Sequence, residues 1–203
     1  MKVALIGATG NVGTRVAAEA LSRGHQVTGI TRHPEKQAAK PGLTAARGDT
    51  AEPDALATVL AGHDAVVSST RFQGSDARSL IAAVKKSGVK RLLVVGGAGS
   101  LELSPGLALV DSPNFPAAYK PEASAGRAFL EVLRSETELD WTFLSPSAIF
   151  GPSARTGKFR VGGDALLVGA DGNSRVSMED YALALVDELE APKHSRRRFT
   201  VGY

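Results

Sequence analysis

The chain has 203 residues, of which 24 are Lys or Arg and 21 are Asp or Glu, so that its net charge is +3. It contains no cysteine, which excludes disulfides, cysteine-ligated metals and thiolate nucleophiles, and its four histidines show no metal-ligand spacing on a helix face. Its apolar runs are shorter than the roughly 20 residues that cross a bilayer, and its N-terminus lacks signal-peptide character, so we expect a cytoplasmic protein without bound metal.

Six short, mostly apolar segments predict the strands of a buried sheet. They are Val3–Ile6, Val27–Ile30, Leu43–Arg47, Ala65–Val67, Leu92–Val95 and Trp141–Leu144. Most are continuously apolar, as a sheet covered on both faces requires. Helical periodicity lies between them, at residues 12–21, 80–84 and 125–133. Alternating strands and helices predict an α/β fold with a parallel sheet and helices on both of its faces.

The sequence after residue 150 is glycine-rich and its pattern is less regular. Its predicted elements are a β-like patch, an amphipathic helix capped by Ser177 and a final strand, at Ala165–Val168, Met178–Leu189 and Phe199–Val201. We therefore predict one domain over residues 1–203. Residues 1–150 form its core, and residues 151–203 form a small lobe on the substrate side.

The first strand runs directly into a glycine-rich turn, from which the first helix begins. The turn has the sequence Gly-Ala-Thr-Gly-Asn-Val-Gly, and its candidate ligand-binding residues are Gly7, Thr9, Gly10, Asn11, Val12 and Gly13. Unpaired N–H groups and the positive end of the helix dipole make such a helix start suited to a pyrophosphate. This strand–turn–helix context predicts a dinucleotide-binding, doubly wound sheet of the Rossmann type. A tight structural turn without a ligand is the alternative.

The end of the second strand indicates which dinucleotide binds. Arg32 stands nineteen residues after Gly13, where a protein that binds NAD usually has an acidic residue. A guanidinium can bind the 2′-phosphate of NADPH, which a carboxylate would repel. We therefore predict a preference for NADPH over NADH, with Arg32 as the phosphate ligand and Thr31 assisting. The alternative is that Arg32 is a solvated surface residue.

Several motifs together resemble the atypical short-chain dehydrogenase/reductase superfamily. The chain is similar to its small NAD(P)H-binding proteins, which include bacterial NADH–flavin reductase-like proteins and biliverdin reductase B. The resemblance is carried by the glycine turn, Arg32, Gly48-Asp49, the Val-Val-Gly-Gly-Ala-Gly run at 94–99, the Trp-Thr-Phe-Leu-Ser-Pro run at 141–146, and residues 172–182.

The resemblance implies further cofactor-binding residues after the other strands. Asp49 and Thr50 would lie beside the adenine, and Ser68, Ser69 and Thr70 would follow the riboses. Gly97 and Ala98 would border the nicotinamide, with Pro146, Ser147 and Ile149 on its carboxamide side. All of them follow strands, at the sheet edge where open α/β folds bind ligands.

The chain departs from the superfamily in lacking a Tyr-x-x-x-Lys pair, in which the lysine lowers the pKa of a proton-donating tyrosine. Tyr119 is followed four positions later by Ala123, and Tyr181 by Leu185. Alcohol dehydrogenation and sugar epimerisation by that route are therefore disfavoured. If a proton donor is needed, the candidate catalytic residues are Ser112, Tyr119 and Lys120, although their proline-interrupted segment also suits a rigid connection.

Hydride transfer to an oxidised flavin fits this deficit, because the reduced product can take its proton from water. We predict an NADPH-dependent reductase of a flavin or another conjugated small molecule. A non-catalytic NADP(H) redox sensor is the alternative, and a nucleotide-sugar epimerase or dehydratase is disfavoured by the short C-terminal region. Phe115, Tyr119, Phe150 and Phe159 are candidate pocket walls, and Arg155, Lys158 and Arg160 are candidate contacts for an anionic substrate.

The expected partner is the small-molecule acceptor. The basic cluster at Arg196–Arg198 stands without an element that could read bases, so we expect no nucleic-acid partner. Because no apolar run is long enough to span a membrane, we also expect no membrane partner. The sequence leaves open whether the protein is a monomer or a dimer.

Overall fold

The computed structural model describes residues 1–203, which form five α-helices and twelve strands. The helices are α1 (Asn11–Ser22), α2 (Pro53–Leu60), α3 (Ala77–Ser87), α4 (Lys120–Arg134) and α5 (Met178–Glu190). The strands are β1 (Lys2–Ile6), β2 (Gln26–Thr31), β3 (Leu43–Arg47), β4 (Ala65–Ser68), β5 (Arg91–Val95), β6 (Glu102–Ser104), β7 (Leu107–Ala108), β8 (Asp140–Ser145), β9 (Ile149–Gly151), β10 (Arg160–Gly162), β11 (Arg175–Ser177) and β12 (Arg197–Gly202). None of the helices is long and apolar enough to cross a membrane.

Eight strands form the central sheet, in the order β10-β12-β8-β5-β4-β1-β2-β3. All neighbours are parallel except β10 and β12, which pair antiparallel. The chain builds outward from β1 to β3 and then returns to place β4 on the other side of β1, so the connections diverge between β1 and β4. This confirms the predicted doubly wound α/β fold of the Rossmann type.

Helices cover both faces of the sheet, and this explains why the strands are continuously apolar. Along β1, Val3 and Leu5 pack into a core with α1 and α5, whereas Ala4 and Ile6 pack on the other face with α2, α3 and α4. Successive strand residues point to opposite faces, so every position of a strand in such a sheet is buried. The six predicted strands are all present, and each differs from its predicted bounds by at most one residue at either end.

Two elements differ from the sequence prediction. Ala165–Val168 is not a strand: Ala165 makes a single bridge to Glu102, and the strand of this region is β10. The segment is anchored by the Leu166 N–H, which donates to the Glu102 carbonyl at 2.8 Å, and by the side chain of Leu167, which packs against Gly162 and Gly202. Helix α2 was not predicted, because eight residues show only two helical turns of apolar spacing.

Residues 151–203 share the core with the residues before them. Helix α5 packs against α1, and β12 pairs with β8 inside the central sheet. The Ser177 hydroxyl caps α5 by accepting a hydrogen bond from the Asp180 N–H at 3.0 Å, as predicted. The loops at 152–159, 163–174 and 191–196, together with β11, are the parts of the predicted lobe that lie outside the central sheet and α5.

The buried carboxylate of Asp180 holds the first of these loops and the C-terminus together. It accepts hydrogen bonds from the Thr156 N–H at 3.0 Å, the Gly157 N–H at 2.9 Å and the Tyr203 hydroxyl at 2.6 Å. Burial alone would raise the pKa of Asp180, but the hydrogen bonds from Thr156, Tyr203 and Gly157 outweigh it and hold the pKa below its ordinary value.

Asp180→Asn is expected to lower the free energy of unfolding by about 2 kcal/mol, because an amide cannot accept all of these hydrogen bonds. The contribution of Asp180 is fully present above its unfolded-state pKa of about 3.9 and is lost as the pH falls from there toward its lower folded-state pKa. Denaturant unfolding of the unsubstituted protein and of Asp180→Asn across that pH range measures this loss of stability. Asp54→Asn, which removes a carboxylate that is 85% exposed and paired with Lys86, should change stability by less than about 0.5 kcal/mol. Equal losses in the two variants would contradict the role of Asp180.

Candidate functional site

Two adjoining clefts lie over the carboxyl ends of the parallel strands, around the point where the connections of β1 and β4 diverge. The larger has a volume of about 750 Å³ and the smaller of about 370 Å³. Gly10, Ser69, Thr70 and Arg71 line both of them, so the clefts form one groove that passes over the glycine turn. Open α/β sheets bind their ligands at this position.

The glycine turn is packed too tightly to carry side chains. Gly7 has a φ of +81°, and a Cβ added to it would lie 2.3 Å from the carbonyl oxygen of Ser69. A Cβ on Gly13 would lie 2.2 Å from the carbonyl oxygen of Gly7. A Cβ on Gly10, by contrast, would meet only that same carbonyl oxygen, at 3.3 Å. Gly7 and Gly13 therefore serve packing, and Gly10 leaves room at the groove.

The start of α1 fits a pyrophosphate. Gly10 is its N-cap residue and supplies no capping side chain, and the first turn contains no acidic residue. The first N–H groups of a helix have no acceptor within the helix and carry the positive end of its dipole. Gly10, Asn11 and Val12 line the larger cleft, so this end of the helix borders the groove. The residues present thus fit the phosphates of a dinucleotide.

The smaller cleft brings together most of the residues predicted for the adenosine end. The predicted residues that line it are Gly7, Thr9, Thr31, Arg32, Asp49 and Thr50. Arg32 is exposed and makes no ion pair, so that its guanidinium is free for a ligand. The Asp49 carboxylate accepts a hydrogen bond from the Ala51 N–H at 3.0 Å.

The larger cleft brings together the residues predicted for the nicotinamide end and two of the three catalytic candidates. The nicotinamide-end residues that line it are Gly97, Ala98, Pro146 and Ser147, and the two catalytic candidates are Ser112 and Tyr119. Phe72, Phe115 and Phe150 add aromatic walls, and the ring of Phe150 lies 4.8 Å from that of Tyr181 in α5. The Ser147 hydroxyl is buried and donates to the Val201 carbonyl at 2.9 Å, so this side chain holds β12 in place.

Four of the predicted site residues do not line the groove. Gly13 acts through packing, Ser68 is buried at the end of β4, Ile149 is exposed at the start of β9, and Lys120 is exposed at the start of α4. Four further candidates, for a pocket wall or for contact with an anionic substrate, also lie elsewhere. Phe159 packs near α5 and Phe199, Arg155 pairs with Glu19 at 2.7 Å, and Arg160 donates to the Val168 carbonyl at 2.6 Å. Lys158 does not line the groove either.

Sequence reasoning missed a segment after β4 that forms the wall between the two clefts. Arg71 lines both clefts, Phe72 the larger and Gln73 the smaller. The carboxylate of Glu122, near the start of α4, accepts hydrogen bonds from the N–H groups of Phe72 at 2.7 Å and Gln73 at 3.0 Å. Partners some 50 positions apart leave no local pattern in a sequence, so no motif could have revealed this contact.

Neither candidate tyrosine stands in a proton-exchanging pair. Tyr181 is fully buried; its hydroxyl donates to the Leu144 carbonyl at 2.6 Å and accepts from the Gly96 N–H at 3.3 Å. Burial raises the pKa of Tyr181 far above its ordinary value. Tyr119 is 68% exposed at the rim of the larger cleft, and no lysine lines the groove.

The strand order, the glycine turn at the divergence of β1 and β4, and the groove on either side of that turn define a nucleotide-binding protein with a Rossmann fold. Residues 7–192 match the model of a family described as NAD(P)H-binding. The chain belongs to this NAD(P)H-binding family.

Relatives of similar length cover essentially the whole chain. The uncharacterized protein YwnB of Bacillus subtilis is 39% identical over 211 aligned positions, covering 99% of this chain and 98% of its own. The structure of a "putative epimerase" from Bacteroides thetaiotaomicron is 44% identical, with a TM-score of 0.93 and coverage of 100% and 96%. That of a "putative NADH-flavin reductase" from Streptococcus pneumoniae is 34% identical, with a TM-score of 0.87 and coverage of 100% and 99%.

Alanine at the turn glycines should separate packing from ligand binding. Gly13→Ala is expected to lower the free energy of unfolding by about 1–3 kcal/mol, since its methyl group would overlap the Gly7 carbonyl.

Gly10→Ala should leave stability nearly unchanged and weaken NADPH binding about tenfold, the effect of losing roughly 1.5 kcal/mol of hydrogen bonding to phosphate. Denaturant unfolding and calorimetric titration measure the two effects. Gly151→Ala, which meets nothing within 4 Å, is the control. Full NADPH affinity in Gly10→Ala would contradict the placement of the phosphates.

Proposed function

We propose that the protein is an NADPH-dependent reductase that transfers hydride to a flavin or a similar conjugated small molecule. The observation that carries this proposal is the continuity of the groove. Beyond the glycine turn it widens, beside Gly97 and Ala98, into a cleft of about 750 Å³ with aromatic walls. That volume lies in the range of small-molecule sites, and aromatic side chains suit a planar ring. The name of the Streptococcus pneumoniae relative supports the same reaction type.

The residues of the groove divide the binding of the dinucleotide among them. The first turn of α1 binds the pyrophosphate, and Arg32 binds the 2′-phosphate, with Thr31 assisting at the same cleft. Gly97 carries no side chain, and even an added Cβ would meet only Phe72, at 3.6 Å, so the cofactor ring can lie directly against the backbone. When bound, the nicotinamide supplies the hydride. The aromatic walls then orient the acceptor and exclude water from one side of it.

The tyrosines favour an acceptor that needs no proton from the protein. The Bacteroides thetaiotaomicron relative carries the name of an epimerase, a reaction for which this superfamily uses a tyrosine with a lysine four residues later. Here Ala123 stands four residues after Tyr119, and Tyr181 is buried against Leu144 and Gly96. An oxidised flavin avoids this requirement, because its reduced form can be protonated by water.

Turnover is the direct test. Purified protein with NADPH and a panel of flavins and quinones should consume NADPH, measured as loss of nicotinamide absorbance under anaerobic conditions. Tyr119→Phe should retain activity within about threefold, because a general acid contributes roughly 10²- to 10⁴-fold only where the reaction needs one. Tight binding of NADP(H) that differs between its oxidation states, without turnover of any acceptor, would overturn the reductase and favour a redox sensor. Loss of activity in Tyr119→Phe would make Tyr119 the proton donor.

Arg32→Ala should raise the KM for NADPH by about 10- to 100-fold and leave that for NADH unchanged, since a hydrogen bond to a charged group is worth about 1.5–3 kcal/mol. Steady-state kinetics with both cofactors measure the ratio. Lys36→Ala removes an exposed cation four residues on that does not line the groove, and it should change neither value. A loss of equal size for both cofactors would contradict the assignment of Arg32 to the 2′-phosphate.

A further inference from the structure

The two ends of the groove differ in charge. Among the residues that line the larger cleft, only Arg71 and Glu122 carry a formal charge. Arg71 also lines the smaller cleft, together with Gly10 at the start of α1. Its guanidinium therefore belongs to the junction, beside the helix end that fits the pyrophosphate. A pyrophosphate bound at that helix end would be the anion next to Arg71.

Glu122 is already engaged by the protein. Its two carboxylate oxygens accept hydrogen bonds from the backbone N–H groups of Phe72 and Gln73. A carboxylate held in this way fixes the wall segment after β4. It adds negative charge to the cleft and offers nothing to an anionic acceptor.

The part of the larger cleft that lies away from the glycine turn is here called the acceptor end. Apart from Arg71 and Glu122, its lining is uncharged. Its side chains are aliphatic, aromatic or uncharged polar, namely Leu103, Leu109, Phe115, Tyr119, Phe150, Ser112 and Asn114. Of the basic residues nearby, Arg127 pairs with Asp111 at 2.5 Å and Arg155 pairs with Glu19, while Lys120 is exposed at the start of α4 and does not line the cleft. A phosphate placed in this end of the cleft would lose water without gaining a counter-charge, which is unfavourable.

We propose that the acceptor is an uncharged planar ring system, such as riboflavin or a quinone, in preference to the phosphorylated flavins FMN and FAD. This inference rests on the proposed reductase function and specifies its substrate class. The reduction uses one NADPH and one proton for each acceptor. The nicotinamide C–H bond breaks and the nicotinamide is oxidised, the hydride bonds to the acceptor ring with its electron pair, and water supplies the proton.

Binding of riboflavin and FMN to the protein saturated with NADP⁺ tests the proposal without turnover, because the two flavins differ only in the phosphate. Quenching of flavin fluorescence should give a Kd for riboflavin at least about fivefold below that for FMN. The difference should narrow as salt screens the repulsion between the FMN phosphate, Glu122 and the bound dinucleotide. The ratio of kcat/KM for NADPH oxidation with the two flavins should change in the same direction, mainly through KM.

A cation added to the lining should reduce the preference for riboflavin over FMN. Leu103→Arg places a guanidinium at the cleft and is expected to tighten FMN binding by about threefold to fivefold, the usual effect of a half-exposed ion pair, with riboflavin unchanged. Leu107→Arg is the matched control. Leu107 lies on the same hairpin and is similarly exposed, 39% against 44%, but it does not line the cleft.

Equal affinities for the two flavins, or tighter FMN binding, would overturn the inference and leave the reductase intact if NADPH is still consumed. Such a result would mean that the phosphate remains in bulk water beyond the rim. Absence of both binding and turnover with every flavin and quinone would overturn the inference together with the proposed function.

Discussion

The groove depends on the close backbone packing of the glycine turn. Gly7 lies against the carbonyl of Ser69, and Gly13 lies against the carbonyl of Gly7, at distances where no side chain fits. The Gly7 N–H donates a hydrogen bond to the Ile30 carbonyl of β2 at 2.9 Å, which ties the turn to that strand. The Ser69 N–H donates to the Ile6 carbonyl of β1 at 2.8 Å, which ties the segment after β4 to β1. These contacts aim the start of α1 at the groove and hold the segment after β4 beside it. Both clefts take their shape from this arrangement.

The C-terminal region supports one wall of the larger cleft. At one end of α5, Asp180 binds the loop at Thr156 and Gly157 and the hydroxyl of Tyr203. At the other end, the buried carboxylate of Glu188 pairs with Arg91 of β5 at 3.0 Å. Helix α5 is thereby fixed at both ends, and its Tyr181 packs against Phe150, which lines the larger cleft. Residues of the small lobe that the sequence predicts on the substrate side of the single domain therefore position a wall of the larger cleft.

Charge and polarity are distributed in a way that matches two different ligands. Free backbone N–H groups, Arg32 and Arg71 lie along the part of the groove that suits a phosphate-rich dinucleotide. The part that remains is lined by neutral and aromatic side chains and by Glu122, whose carboxylate is held by the N–H groups of Phe72 and Gln73. Because a desolvated charge needs a partner, this division sorts ligands along the groove by chemistry as well as by size. The three basic side chains at 155, 158 and 160 could not contribute to it, since none of them lines either cleft.

The sequence by itself determined seven of the eight strands of the central sheet, four of the five helices and the glycine turn at the start of α1. Continuous apolar strands and a glycine turn at a helix start are local patterns, and each follows from burial or from backbone geometry within a few residues. The end of β2 at Thr31 and Arg32 could be placed in the same way, because parallel strands end at one edge, whereas Asp49 and Thr50 were indicated by the resemblance to the superfamily. Only the tertiary structure decided which side chains line the larger cleft. The contact of Glu122 with the segment after β4, the burial of Tyr181 and the engagement of Arg155 with Glu19 join residues that lie far apart in the chain. A side chain's availability to a ligand depends on such distant partners, and they leave no signal in the local sequence.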